Sequence, residues 1–304
     1  MSYLVAINCL VYNHESYLRE CLDGFVMQQT NFPFVAIVHD DASTDNSAAI
    51  IHEYADKYPN IIKPIFEREN QYSKRDGTIQ RIMNAAVDST SAKYVAMCEG
   101  DDYWTDPSKL QKQVDFMEAN PEFSLCFHKV KTLIQETGEL KNEFIVRDMP
   151  GKSNIVDLAK GNYIHTPSVL YRKECLDVKS YYNMVPCIPS DYVMWMLLAE
   201  KGYIYKFNEA MAVYRYGVGI WSGKVSTTNN FSVLKTLTKL SCTIQNPDAR
   251  TILKEEVQRF STDLVNHIDN LEQQYNQICS SRAYQLGKLL LKPISFVRKL
   301  FAKS

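Results

Sequence analysis

A short apolar run, residues 94–98, ends abruptly in Glu99, Gly100, Asp101 and Asp102. Three carboxylates within four residues repel one another, so their convergence at a strand end requires a compensating charge. A divalent cation with oxygen ligands supplies it. A solvated acidic turn is the plain alternative for an isolated Glu-Gly-Asp-Asp. A second acidic strand end lies upstream, at Asp40 and Asp41. The two together restrict the fold, because both must close strands of one sheet if they are to share a site.

The chain around them alternates strand and helix patterns. Residues 3–11 are mostly apolar and of strand length, as in a buried parallel strand. Tyr12-Asn13-His14 breaks the run. Residues 15–28 then place Tyr17, Leu18, Cys21, Leu22, Phe25 and Val26 at helical spacing. Residues 34–39 form the second strand, closed by Asp40 and Asp41. Ser43 or Thr44 is expected to cap the next helix, with Asp45 in its first turn. That helix runs to about Tyr58, and Pro59 stops it. A strand over 61–67, a helix over 78–88 and a strand over 93–98 follow. Such alternation with short loops predicts an α/β fold with a mostly parallel sheet. In these sheets ligands bind beyond the carboxyl ends of the strands, where both acidic clusters fall.

With 304 residues the chain is expected to hold about two units: an α/β domain over 1–225 and a helical extension over 226–304. A net charge of −1 gives no global signal for nucleic acid. The eight cysteines show no CxxC spacing, so neither zinc nor a disulfide framework is indicated. Buried thiols and a reducing cytoplasm are the expectation. Residues 1–11 lack the basic start of a secretory signal. No uninterrupted apolar stretch reaches the ~18 residues of a membrane-spanning helix.

Each residue of the acidic edge has a chemical reading beside a structural one. Tyr12 can lie against an aromatic base or simply pack. Asp41 can accept a hydrogen bond from a base or ribose, or form a turn with Asp40. Glu99, Asp101 and Asp102 can hold a metal against a diphosphate. Arg75 can contact a phosphate oxygen or support the base, or be a solvated loop residue.

Tyr12-Asn13, Gln28-Gln29, Asp40-Asp41-Ala42-Ser43-Thr44-Asp45 and Glu99-Gly100-Asp101-Asp102, in this order, resemble the motifs of family 2 glycosyltransferases of the bacterial polysaccharide type. The resemblance covers about residues 3–221. It implies a GT-A (Rossmann-like) fold, a nucleotide-sugar donor, inversion at the anomeric carbon and Mn²⁺ or Mg²⁺ as cofactor. The donor-binding set it implies is Leu10, Tyr12, Asp41, Arg75, Glu99, Asp101, His165 and Trp221, with metal ligands Asp101 and Asp102. Glu99 departs from the Asp usual at that position. Asp191, at the start of an apolar helix over 193–199, matches the family's catalytic base; a helix cap is its structural alternative. His165, in a segment leading to a strand over 169–172, reads as an acceptor contact or a hydrogen-bonding structural residue. Residues 212–222 resemble a closing loop but lack the His many relatives carry there, and Trp221 covers the sugar or packs.

The intervening pattern predicts a helix over 109–118, a strand over 123–131 and a polar, flexible connection over 133–151. From about residue 230 the pattern is helical, 231–244 and then 249–279, with a break at Pro247. Its apolar face suits packing on the catalytic domain or a homo-oligomer. From Arg282 onward there is no Asp or Glu. The basic amphipathic segment 284–301 reads as a peripheral element for the inner membrane face, or as a docked helix. The expected partners are therefore a nucleotide sugar, a glycan or lipid-linked glycan acceptor and a membrane surface, with no nucleic acid. The expected reaction is transfer of a sugar, most simply from a UDP-sugar, into cell-surface polysaccharide or glycolipid. A catalytically silent nucleotide-sugar-binding scaffold is the alternative. A receiver domain would place its acidic pair after the first strand. A sugar nucleotidyltransferase would need a glycine-rich loop where the chain reads Leu10-Val11-Tyr12-Asn13-His14-Glu15.

Overall fold

In a computed structural model of the chain, residues 2–142, 149–184, 187, 189–218, 227–282 and 284–286 are described. The elements follow the alternation read from the sequence. Strand β1 (Val5–Val11) leads to α1 (Leu18–Val26), β2 (Phe34–Asp40), α2 (Ser47–Lys57), β3 (Ile62–Phe66), α3 (Thr78–Ser89) and β4 (Tyr94–Met97). Every residue of β2 and β4 is buried, as their unbroken apolar runs require of strands covered on both faces. After β4 come β5 (Tyr103–Trp104), α4 (Lys109–Ala119), β6 (Phe123–Ile134), β7 (Glu139–Lys141), β8 (Lys152–Ser153), α5 (Ile155–Ala159), β9 (Leu170–Arg172), α6 (Val178–Met184), α7 (Ser190–Ala199) and β10 (Tyr203–Tyr216).

One mixed sheet runs in the order β3-β2-β1-β4-β9-β6-β10-β5, with β7 on β6 and β8 on β10. The pairings among β3, β2, β1 and β4 are parallel. Strand β9 is antiparallel to both its neighbours, and β6 and β10 pair in parallel. Arg172 closes this junction. Its buried guanidinium donates to the Phe123 carbonyl at 2.9 Å and to the Tyr94 hydroxyl at 2.8 Å, joining β9, β6 and β4. The main core packs Ile7, Cys9, Leu18, Leu22, Phe25, Val38, Ile51, Tyr94 and Trp104 between α1, α2, α4 and the sheet.

Two expectations change. Strand β6 continues to Ile134 and turns into β7, so the first part of 133–151 is a hairpin; the polar side chains that suggested a loop lie on the exposed β7. Ala212–Tyr216, expected to belong to a closing loop, is the end of β10. Its polar Arg215 is buried, which hid the strand from a hydropathy reading. Residues 219–226, including Trp221, lie outside the described residues, as do 287–304.

The chain divides into two compact units, Met1–Glu255 and Glu256–Ser304. Helix α8 (Thr227–Thr243) and the first turns of α9 (Pro247–Ser280) fall within the first unit. Pro247 opens α9, where its missing N–H costs no helical bond. In the second unit Leu271, Tyr275 and Ile278 are exposed along α9. No helix among the described residues is long and apolar enough to cross a membrane.

Candidate active site

Strands β2, β1 and β4 are adjacent and parallel, so their carboxyl ends bring three loops together. The first two loops are tied by their own side chains. Asn13, in the left-handed region at φ 56°, accepts the Thr44 N–H on its side-chain oxygen at 2.7 Å. Its own N–H donates to the Ser43 hydroxyl at 2.9 Å. The Glu15 N–H donates to Asp45 at 3.0 Å, and the Asn46 N–H donates to Glu15 at 2.8 Å. Ser43 therefore serves the neighbouring loop and does not cap α2. The N-cap is Asn46, and Asp45, just before it, accepts the Ser47 N–H at 2.9 Å. A pattern of Ser, Thr and Asp at a helix start cannot reveal which of them is claimed by another loop.

Asp41 is buried and holds a third segment in place. Its two carboxylate oxygens accept the N–H groups of Gln71 at 2.7 Å and Tyr72 at 3.0 Å. This anchors the short 3-10 turn Tyr72–Lys74. The next residue, Arg75, has φ 55°, and its guanidinium turns back over the Tyr72 ring at 5.0 Å. Asp41 thus reaches the site through Tyr72 and Arg75 as well as by any direct contact. Tyr12 is 45% exposed beyond β1, free to offer a flat face.

The acidic turn sits between these loops. The Gly100 N–H donates to the Leu10 carbonyl at 2.9 Å, fixing Leu10 as a backbone support of the turn. A Cβ on Gly100 would lie 2.8 Å from His14 Nδ1 and 2.9 Å from Val11 Cγ2, so only glycine lets the turn descend this far. The three acids then diverge. Asp102 points inward: it is buried, and one oxygen accepts the Arg215 N–H of β10 at 2.8 Å. Burial, then the neighbouring Asp101, pushes its carboxyl well above the usual carboxylate range. The Arg215 side chain is held by Glu20 and lies over the rings of Tyr17 and Tyr103 at 4.9 and 5.1 Å. Glu99 is exposed to solvent at the turn, with protein close around its carboxyl. That surrounding protein, then the charges of Asp101 and Asp191, pushes its carboxyl up to about 8.

Asp191 occupies the first turn of α7, whose residues Tyr192–Ala199 are all buried. It is half-buried and accepts the Tyr192 N–H at 2.8 Å and, more weakly, the Thr166 hydroxyl at 3.5 Å. These bonds favour the carboxylate, yet desolvation outweighs them and its carboxyl is raised. Glu99, Asp191 and the Tyr72 phenol each lie close enough to feel one another's charge. Sequence separation of about a hundred residues hid this cluster, and no periodicity marks Tyr72. His165 stands beside β10, its ring 4.9 Å from that of Tyr214.

Among the described residues no group of three His, Cys, Asp or Glu side chains forms a cage for a metal. The donor set nevertheless fits Mg²⁺ or Mn²⁺ in a nucleotide site, where one or two carboxylates suffice and substrate phosphates and water complete the shell. Asp101 and Asp102 are the expected ligands; one oxygen of Asp102 accepts the Arg215 N–H of β10, and a cation would need only the other, with Glu99 beside them. The raised Glu99 carboxyl is the electrostatic debt such a cation would relieve.

The sequence profile of Glycosyl transferase family 2 matches residues 9–177. An uncharacterised protein of Mycobacterium tuberculosis is 38% identical over 230 residues, 75% of this chain and 63% of its own length. The chain therefore spans less than two thirds of that relative. TuaG of Bacillus subtilis, a glycosyltransferase assigned by name to teichuronic acid biosynthesis, is 28% identical over 216 residues, 70% of this chain and 79% of its own. Among solved structures, Staphylococcus aureus TarS in complex with UDP-GlcNAc superposes with a TM-score of 0.63 at 18% identity, over 84% of this chain and 71% of that one. The mannosyltransferase PcManGT of Pyrobaculum calidifontis, in complex with GDP-Man and Mn²⁺, gives 0.56 at 14% identity, over 100% and 89%. At these identities the structural likeness concerns the fold.

Proposed function

Because the chain belongs to glycosyl transferase family 2, we propose that it moves a sugar from a nucleoside-diphosphate sugar to an acceptor hydroxyl with inversion at the anomeric carbon. A UDP-sugar donor and an acceptor in cell-surface polysaccharide or glycolipid fit the relatives whose names point to such synthesis. What supports the reading is that Asp191, at the start of α7, comes close enough for its charge to act on Glu99, which follows β4 at the carboxyl-end edge formed by β1, β2 and β4. Two facing sets of groups are what displacement at a sugar carbon needs, one beside the leaving diphosphate and one beside the attacking hydroxyl.

Tyr12 stacks on the base, and the loop anchored by Asp41 brings Arg75 towards the phosphates. Asp101 and Asp102, with Glu99 beside them, would hold Mn²⁺ or Mg²⁺, which would supply positive charge for the departing diphosphate. Asp191 accepts the proton of the acceptor hydroxyl as it attacks. A carboxylate can do this because the hydroxyl loses its proton only as the new bond forms, and a raised basicity helps. His165 lines the acceptor side. Residues 284–301 hold the enzyme at a membrane surface, and the exposed seam of α9 supports self-association.

A thermal-shift screen of nucleoside diphosphates and their sugars, with Mn²⁺ and with Mg²⁺, tests the site. A ligand that binds only the folded state raises Tm, by about 2.7 kcal/mol of stability at a hundred times Kd. At least one nucleotide sugar should raise Tm in a metal-dependent way. No shift with any donor would overturn the reading. A shift without turnover would make the chain a silent nucleotide-sugar-binding scaffold.

A further inference from the structure

Lys109 is the first residue of α4, and its side chain is fully buried. Its ammonium lies over the Trp104 ring, 4.0 Å from the centroid, and donates to Gln113 Oε1 at 2.8 Å. Asp106, the Cys98 and Cys126 thiols and His128 lie near enough to share its field, and none of them is hydrogen-bonded to it. Burial pushes the ammonium down to about 7. A lysine held in this way destabilises the fold, because no bonded carboxylate among the described residues offsets its dehydration. An apolar side chain of the same length fills such a space more favourably, so packing alone does not explain the amine.

The bond to Gln113 carries the effect outward. An ammonium can only donate, so the Gln113 amide must turn its oxygen towards Lys109 and its nitrogen away. That nitrogen donates to the Ser168 carbonyl at 2.9 Å and contacts Cys126 Sγ at 3.6 Å. One residue earlier, the Pro167 carbonyl accepts the indole N–H of Trp104 at 2.9 Å, and Trp104 is the ring beneath the same ammonium. Lys109 thus touches both side chains that hold consecutive carbonyls of the 3-10 turn Thr166–Ser168. The Ser168 N–H and hydroxyl close that turn on the His165 carbonyl at 3.0 and 2.6 Å. Its first residue, Thr166, donates its hydroxyl to Asp191 at 3.5 Å. Resting on the glycosyltransferase reading above, we propose that Lys109 is a positioning residue for the transfer: through Gln113 and Trp104 it fixes the turn that carries Thr166, and with it the place of the Asp191 carboxylate.

The links in this chain are hydrogen bonds of 2.8–2.9 Å except the last, whose 3.5 Å is lost if the turn shifts outward. Without the ammonium the Gln113 amide is free to turn over. Its oxygen would then face the Ser168 carbonyl oxygen, which cannot donate. The turn would keep only the Trp104 anchor, and Thr166 would draw away from Asp191. None of these bonds involves Tyr12, Asp41 or Arg75, so nucleoside diphosphate affinity should not register the change.

The test is Lys109→Met, which keeps an unbranched side chain and removes the charge. Nucleotide release is measured with UDP-glucose, UDP-galactose, UDP-GlcNAc and GDP-mannose, and binding of UDP and GDP by calorimetry. The substitution is made both in the wild type and in Asp191→Asn. For the donor that the wild type prefers, kcat should fall about tenfold, the scale of one displaced hydrogen bond. KM for that donor and Kd for its nucleoside diphosphate should stay within about twofold, and Tm should hold or rise, since a buried charge is removed. In Asp191→Asn the same change should lower the rate no further, because residues that act through one group are not additive. Unchanged kcat in Lys109→Met would overturn the assignment while leaving the transferase reading intact. A full further loss on top of Asp191→Asn, or a matching loss of nucleoside diphosphate affinity, would also overturn it, since the effect would then not run through Asp191. Should Lys109→Met lower Tm, Gln113→Met breaks the same chain one bond further on, and a wild-type kcat in that variant would count equally against the proposal. A wild type that releases nucleotide from none of these donors would reject the transferase reading itself, and this assignment with it.

Discussion

Glu99 gives the site a pH signature of its own. Although the residue is exposed, its carboxyl is raised to about 8 in the fold, against 4.5 for an ordinary glutamate, first by the protein around it and then by the charges of Asp101 and Asp191. A group that binds its proton more tightly when folded stabilises the fold at low pH, and this contribution is lost as pH rises from about 4.5 through about 8. Asp102 and Asp191 are raised too and act with the same sign. Ligand-free protein should therefore lose Tm across that window, and Glu99→Gln should flatten the slope. A Tm that rises with pH there, in wild type, would contradict the electrostatics. Asp191 carries the second expectation at this scale. Asp191→Asn keeps shape but cannot take a proton, so donor binding should survive while transfer falls by roughly 10²- to 10⁴-fold. The placement of Tyr12, Asp41, Glu99 and Asp101 just beyond strand ends was legible in the sequence because strand ends and acids are local features. Tyr72 and Arg215 were not, and Asn13 was legible only as a motif residue, not as the tie to Ser43 and Thr44. Each matters through a partner in a distant loop, and nothing in its own neighbourhood announces that partner.

At the scale of elements, the loops after β1 and β2 behave as one piece. Asn13, Ser43, Glu15 and Asp45 exchange bonds with each other's backbone, and Asp41 extends the piece to Tyr72. Asp41→Ala leaves one buried and one partly buried N–H group without their acceptor. Hydrogen bonds to a charged group contribute about 1.5–3 kcal/mol each, so a clear drop in Tm is expected, with weaker donor binding through the released Arg75. Full donor affinity in that variant, measured by calorimetry, would show that the loop is held by other means. Gly100→Ala should be as harmful for a different reason: the new methyl meets His14 and Val11 at under 3.0 Å and lifts the acidic turn. The alternation of strands and helices up to β4 followed from hydrophobic runs and their punctuation. The later half was harder to read because β10 buries Arg215 and Lys206 within a strand, against its hydropathy. The antiparallel insertion of β9 between two parallel pairs has no sequence signal at all.

For the whole molecule, the candidate site lies in the first unit, and the second carries an apolar seam that is exposed among the described residues. Leu271, Tyr275 and Ile278 follow a three–four spacing on α9 and are all exposed. If the seam joins two copies, Leu271→Glu with Ile278→Glu should shift the sedimenting species to monomer without changing nucleotide release; an unchanged species would discard the oligomer. Deleting residues 284–304 should reduce sedimentation with anionic liposomes, most strongly at low salt, since each basic residue near such a surface contributes about 1 kcal/mol, screened by salt. Equal sedimentation of both forms would discard the membrane role. Both tests concern where the protein works. What it does is decided by nucleotide release from a panel of UDP- and GDP-sugars with Mn²⁺, comparing wild type with Asp191→Asn. The expected result is release from at least one donor by the wild type and its near loss in Asp191→Asn, with donor binding preserved in both. Release at the wild-type rate by Asp191→Asn, or no release from any donor by either protein, would contradict a transferase built on this site.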